Sequence, residues 1–159
     1  MTTANGTTTR NADHATITFS RRLAHPVDAV WAAITDSSLI SQWLAPTTFD
    51  GREGGEVDID FGGEEGHTTG RILTFDPPRT LEHEWHFPGE VDSVVRYDLT
   101  TDGDTTVLTL THRRLSLAFA AGYGPGWHAY LDRLTAVLDG TDVPDWDERF
   151  DAVRPAYQT

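Results

Sequence analysis

The chain contains no cysteine and no lysine. Without cysteine there is no disulfide, no thiol nucleophile and no thiolate metal site. Without lysine, all twelve basic residues are arginine. This reads as a compositional habit of a GC-rich genome or a salt-adapted proteome, not as chemistry. Long apolar runs are missing too, and none approaches the ~18 residues of a membrane-spanning helix. The opening segment, MTTANGTTTRNAD, has no apolar core, so no signal peptide is expected and the cytoplasm is the expected compartment. Positive charge is scarce, with 12 basic residues against 25 acidic ones and a formal net charge of −13. Nucleic acids and anionic membranes both select a basic footprint, so neither is expected as a partner.

What remains is ample for one folded domain. The 159 residues are 38% hydrophobic and 23% charged, a balance that belongs to globular chains rather than disordered ones. Residues 1–14 are rich in Thr and Asn and are expected to form a disordered tail. Residues 15–140 carry the periodic patterns of the domain. Residues 141–159 form an extension in which VPDWDERFDAVRP suggests a short helix, with Trp146, Phe150 and Val153 on one face.

ATITFSRRL, from Ala15, alternates like a strand. Val27, Val30, Trp31 and Ile34 then fall at i, i+3, i+4 and i+7, the stripe of an amphipathic helix started by Pro26 and Asp28. Asp36 or Ser37 can cap a second short helix that Pro46 stops. Helices this short are marginal in water, so Trp31 and Trp43 are expected to clamp the pair against the rest of the chain. The period then changes to two. GGEVDIDFGG, HTTGRILTFDPP, TLEHEWHF, SVVRYDLTTDGD and TTVLTLTHRRL read as five strands joined by short turns, which makes an antiparallel meander the economical topology. After AGYGPG, Trp127, Leu131, Leu134 and Leu138 repeat at helical spacing up to the Gly140 stop. The fold class is therefore α+β: a curved antiparallel sheet, a long C-terminal helix covering its apolar face, and two short helices closing one end.

The order HPVDAVWAAITDSSLISQWLAP, GREGGEVDIDF, GRILTFDPPRTLEHEWHF, TTVLTLTHRRL, GPGWHAYLDRL resembles the SRPBCC, or START-like, superfamily over roughly residues 15–140. Within it, the chain is most similar to the family of activators of the heat shock protein 90 ATPase, a relative of polyketide cyclases. The resemblance implies a helix-grip fold with a cavity for apolar or amphipathic small molecules. It implies no universal catalytic residue.

His83 and His112 are the polar exceptions on two apolar strand faces. With those faces turned inward, both imidazoles would look into the cavity, to orient a ligand or to act as general acid and base. The alternative is a pair of structural histidines hydrogen-bonded to their neighbours. Trp85, Tyr97, Trp127 and Tyr130 are candidate aromatic walls, with plain core packing the competing role, above all for Trp127. The expected ligand-binding set is thus His83, Trp85, Tyr97, His112, Trp127 and Tyr130. Glu56, Asp58 and Asp60 read as a solvated face, and Arg96 as an outward residue paired with a carboxylate. In HEWH the two histidines are three apart on a strand and point to opposite faces, so no metal is expected. No cofactor is expected either. GYGPG lacks the lysine and the preceding strand of a phosphate loop and reads as a flexible lead into the long helix beside the cavity mouth. The leading functional expectation is binding of an apolar or aromatic small molecule. Alternatives are a cyclase- or hydratase-like enzyme using the histidines, and a co-chaperone activator of a heat shock ATPase, with a homodimer as a possible assembly.

Overall fold

The computed structural model of the chain describes residues 5–62 and 66–157. Eight antiparallel strands form one sheet in the order β1-β2-β8-β7-β6-β5-β4-β3. In chain order they are β1 (Thr7–Arg10), β2 (His14–Leu23), β3 (Thr47–Phe49), β4 (Glu56–Asp60), β5 (His67–Asp76), β6 (Thr80–Trp85), β7 (Ser93–Asp102) and β8 (Thr105–Ser116). Helices α1 (Val27–Thr35) and α2 (Ser37–Trp43) lie between β2 and β3. Helix α3 (Ala120–Asp139) follows β8, and α4 (Trp146–Val153) runs into a 3₁₀ turn, Arg154–Tyr157. This is the helix-grip α+β architecture.

The tail expected to be disordered departs from that expectation where it is described. Thr7–Arg10 pairs with Thr18–Ala15 as an edge strand, and the Gly6 N–H donates to the Tyr157 hydroxyl at 2.7 Å. A run of β-branched threonines suits such a strand. Residues 1–4 lie outside the described residues.

Side chains close the ends of the two short helices by taking up their orphan backbone groups. Asp36 caps α2, its Oδ1 accepting the Ser38 N–H at 2.9 Å. Trp43 is buried and donates its indole N–H to the Ala33 carbonyl at 2.8 Å, one of the last carbonyls of α1. Arg133 of α3 in turn donates Nε–H to the Trp43 carbonyl at 3.0 Å and closes the end of α2. Trp31 is half-buried, with its ring 5.5 Å from that of Phe75. Both tryptophans therefore clamp the pair, but by different means.

The core lies between the concave face of the sheet and α3. Ile17, Phe19, Leu81, Val95, Leu108 and Leu110 meet Trp127, Leu131 and Leu134 there, all nearly inaccessible. β8 carries a bulge: Ala15 pairs with Leu115, whereas Ile17 pairs with His112. Arg114, with φ 64, absorbs the extra residue, so His112 and Leu115 both turn inward although three positions separate them.

α3 starts earlier than the Gly-Tyr-Gly-Pro-Gly composition suggests. Packing overrides propensity here. A side chain at Gly124 would come within 2.8 Å of the Tyr157 ring, so the small residue lets the C-terminal turn dock closely. Gly140, in the left-handed region at φ 69, ends the helix as expected. Asp132 then staples the layers: its Oδ1 accepts from Arg21 of β2 at 2.9 Å, and its Oδ2 from Arg149 of α4 at 2.6 Å. The extension thus packs on α3 with its Trp146 and Phe150 rings 5.0 Å apart.

Candidate functional site

A cavity of about 560 Å³ opens beside the N-terminal half of α3. Three pieces of chain build it. The sheet side supplies Phe61 just after β4, Trp85 at the end of β6, and Phe87 and Glu90 from the link to β7. The segment entering α3 supplies Phe119, and α3 itself presents Gly122, Tyr123, Gly126, Trp127 and Tyr130 along one face. α4 supplies Trp146 and Asp147.

The rings contact one another around the space. Trp85 lies 5.5 Å from Trp127 and 5.8 Å from Phe61, and Tyr130 lies 6.0 Å from Phe61 and 5.4 Å from Trp146. Phe61 and Tyr130 thus face each other across this space, one from the loop after β4 and one from α3. The polar end of the cavity is a relay. Trp85 donates Nε1–H to the Tyr123 hydroxyl at 3.0 Å, and Tyr123 donates to Glu90 Oε1 at 2.6 Å. Burial, with the Glu90 carboxylate adding to it, raises the Tyr123 phenol pKa, so it stays protonated and acts as a donor. Burial pushes the Tyr130 hydroxyl up to about 12.

Of the six expected site residues, Trp85, Trp127 and Tyr130 line the cavity, while His83, Tyr97 and His112 stand behind its wall. His112 is fully enclosed. Its Nδ1 accepts the Trp127 indole N–H at 2.9 Å, which leaves the proton on Nε2, 2.7 Å from Ser93 Oγ. Ser93 passes its own hydrogen to the Trp85 carbonyl at 3.3 Å. Burial, and secondarily the charge of a nearby His83, hold the His112 pKa well below its ordinary value. Neutral and with both ring nitrogens engaged, His112 pegs Trp127 in place and cannot exchange a proton with a ligand.

His83 is also buried, and its Nδ1–H points to the Glu84 carbonyl at 2.9 Å. Desolvation lowers its pKa. It faces a filled pocket between α2 and the sheet, among Ile40, Trp43 and Tyr97, with room of only about 10 Å³. Tyr97 stacks edge-on behind Trp127 at 6.4 Å. Both histidines are buried on the inward faces of their strands, but neither lines the cavity. Conversely, Phe61, Phe87, Glu90, Tyr123, Trp146 and Asp147 were not singled out for the site. Only the placement of GYGPG at the mouth pointed toward Tyr123. Glu56, Asp58 and Asp60 are outward, and Arg96 pairs outside with Asp98 at 2.9 Å, as expected. No group of ligand-type side chains among the described residues is arranged to hold a metal, and no helix is long and apolar enough to cross a membrane.

The comparison with family models matches residues 24–139, well over half of the chain, to the family described as activator of Hsp90 ATPase homolog 1-like protein. The chain belongs to this family. Solved structures agree with that membership. CalU16 from Micromonospora echinospora has a TM-score of 0.76 at 30% identity, over 96% of this chain and 92% of that one. The solution structure of BPP1335 from Bordetella parapertussis gives 0.72 at 27% identity, over 99% and 94%. DynU16, a protein of the dynemicin biosynthetic locus, gives 0.72 at 24% identity over 82% of this chain and 49% of that one, and shares the fold. A comparison with curated proteins finds no match. The matched span of the Hsp90 ATPase activator homolog 1-like family stops at residue 139, so Trp146 and Asp147 reach the cavity from outside it.

Proposed function

We propose that this member of the Hsp90 ATPase activator homolog 1-like family binds an apolar or aromatic small molecule in the cavity beside α3. The observation that carries the reading is an open space of about 560 Å³ walled by Phe61, Trp85, Trp127, Tyr130 and Trp146, within the size range of ligand pockets. The rings supply apolar area, and the Tyr123–Glu90 pair supplies orientation at one end. Trp85, Trp127 and Tyr130 are the contact residues in this reading. His83, Tyr97 and His112 serve it by holding the wall.

Gly122 offers a direct test. It lies on the cavity wall in the first turn of α3, and a Cβ there meets no atom within 4 Å. Gly122→Leu is therefore expected to put its side chain into the open space, and it replaces a poor helix former with a good one. A neutral aromatic probe such as 1-naphthalenemethanol should raise the melting temperature of the native chain by mass action, stabilising by about 1.4 kcal/mol at ten times its dissociation constant. Gly122→Leu should stay folded and lose that shift. An equal shift in both proteins places the probe elsewhere and sinks the reading.

One observation favours a second reading. The protonated Tyr123 hydroxyl and the Glu90 carboxylate, 2.6 Å apart on the cavity wall, form an acid–base pair of the kind that a cyclase- or hydratase-like enzyme needs. In this reading the proton chemistry belongs to Tyr123 and Glu90 and not to the two histidines. Tyr123→Phe would then abolish turnover of a substrate that still binds.

A further inference from the structure

The cavity walls are unusually short of donors. The indole N–H of Trp85 is taken by Tyr123, that of Trp127 by His112, and that of Trp146 by the Gly126 carbonyl at 3.3 Å. The Tyr123 hydroxyl is taken by Glu90. Among the side chains of the described lining residues, only the Tyr130 hydroxyl remains as a donor without a protein acceptor. Acceptors, by contrast, are free. Glu90 uses Oε1 for Tyr123, and its Oε2 takes no hydrogen bond from the described residues. Asp147 sits exposed at the rim. These two carboxylates are the only charged groups among the described lining residues; one cation, Arg133, bears on the Tyr130 hydroxyl from behind the wall, where its guanidinium is spent on the Trp43, Gln42 and Pro144 carbonyls.

An anionic ligand would find nothing here to replace its water shell, and two carboxylates to repel it. A neutral ligand would leave Glu90 Oε2 unpaired as it shut out water. A cation satisfies both carboxylates' need for donors, and the electron-rich faces of Trp85, Trp127 and Tyr130 attract it further. Resting on the ligand-binding reading above, we infer that the ligand is an organic ammonium: an aromatic or alicyclic body seated among the rings, with a protonated amine directed at Glu90.

Three probes sharing one ring system test this by isothermal titration on the full chain. They are 1-naphthylmethylamine, which is cationic at neutral pH, the neutral 1-naphthalenemethanol, and the anionic 1-naphthoate. The amine should bind roughly tenfold tighter than the alcohol, the scale of a partly desolvated charge-assisted contact, and the carboxylate should bind weakest. Glu90→Gln should bring the amine-to-alcohol ratio down to within about twofold of unity. Glu53→Gln removes the same charge from the exposed β3–β4 turn, off the cavity wall, and should leave the ratio as in the native chain.

An amine that binds no tighter than the alcohol overturns the inference while leaving the ligand-binding reading in place. So does naphthoate binding as well as the alcohol. If Glu53→Gln lowers the ratio as much as Glu90→Gln does, the preference is the long-range field of a −13 chain, and the assignment to Glu90 falls. If none of the three probes binds, both the inference and the ligand-binding reading fall together. The comparison of the three probes on the native chain decides the charge preference without any variant.

Discussion

Trp127→Phe isolates the hydrogen bond that pegs the cavity wall. The native indole is 2% exposed and donates to His112 Nδ1 at 2.9 Å. Phenylalanine keeps most of the ring against Trp85 and Tyr97 but removes the donor. His112 is completely buried, so its Nδ1 is left as an unsatisfied acceptor, which costs about 1–3 kcal/mol. The lost pyrrole edge empties roughly 40 Å³, which at ~24 cal/mol per Å³ adds about 1 kcal/mol. The sum is about 2–4 kcal/mol, measured by urea unfolding followed by circular dichroism so that the missing fluorophore does not matter. A double-mutant cycle with His112→Leu sharpens the test. In the double variant neither partner is stranded, so its cost should fall short of the sum of the singles by about 1–2 kcal/mol. A Trp127→Phe cost below about 1 kcal/mol, or an additive cycle, would refute the peg.

Other expectations concern the charges beneath the surface. The pKa values of His83 and His112 are lowered in the folded chain, chiefly by burial, while the unfolded chain protonates both near 6.5. Their contribution to stability is therefore complete above about pH 6.5 and is lost as the pH falls below it, with a slope of up to ~1.4 kcal/mol per pH unit for each group. Urea midpoints measured between pH 7.5 and 5.5 (roughly the range over which both would titrate) should fall, and His112→Phe should flatten the slope. Stability that is constant or rises on acidification contradicts this. Asp58 raises the pKa of the exposed His67, first through its hydrogen bond, so this residue works in the opposite sense, and His67→Ala removes that term. Asp132→Ala strands Arg21, whose buried Nε and second terminal nitrogen have no other partner, and should cost about 3–5 kcal/mol in thermal or urea unfolding. A loss under about 1 kcal/mol would show that Arg21 finds water or a new acceptor.

Elements that depend on local patterns were legible in the sequence. The stripe Val27, Val30, Trp31, Ile34 placed α1, and alternation placed β4 through β8. Gly140 marked the end of α3 because only a left-handed residue closes that turn cheaply. Three features were illegible for physical reasons. Edge strand β1 folds back on the neighbouring β2, but the latch of Gly6 on Tyr157 that fixes it joins residues 151 positions apart, which no local pattern announces. The first turns of α3 look unhelical because Gly124 answers to the Tyr157 ring and not to helix propensity. The bulge at Arg114 breaks the two-residue parity on which any face assignment for β8 depends. The site itself was half legible. Trp85, Trp127 and Tyr130 could be placed by phase, but phase does not say how deep in the sheet a residue sits. His83 and His112 therefore ended behind the wall, while Glu90 and Trp146 came to it from loops and an added helix that carry no periodicity toward it.

The central claim is that the space among Trp85, Trp127 and Trp146 is a ligand site, and the chain carries its own controls. It has five tryptophans, of which these three line the cavity while Trp31 and Trp43 lie elsewhere on α1 and α2. A ¹⁵N-labelled sample gives one indole N–H resonance for each. During titration with 1-naphthylmethylamine, the account predicts that the Trp85, Trp127 and Trp146 resonances shift along one saturating curve. The Trp43 resonance, held by the Ala33 carbonyl, and that of Trp31 should stay where they are. Equal movement of all five, or movement confined to Trp31 and Trp43, would contradict the assignment of the cavity as the binding site.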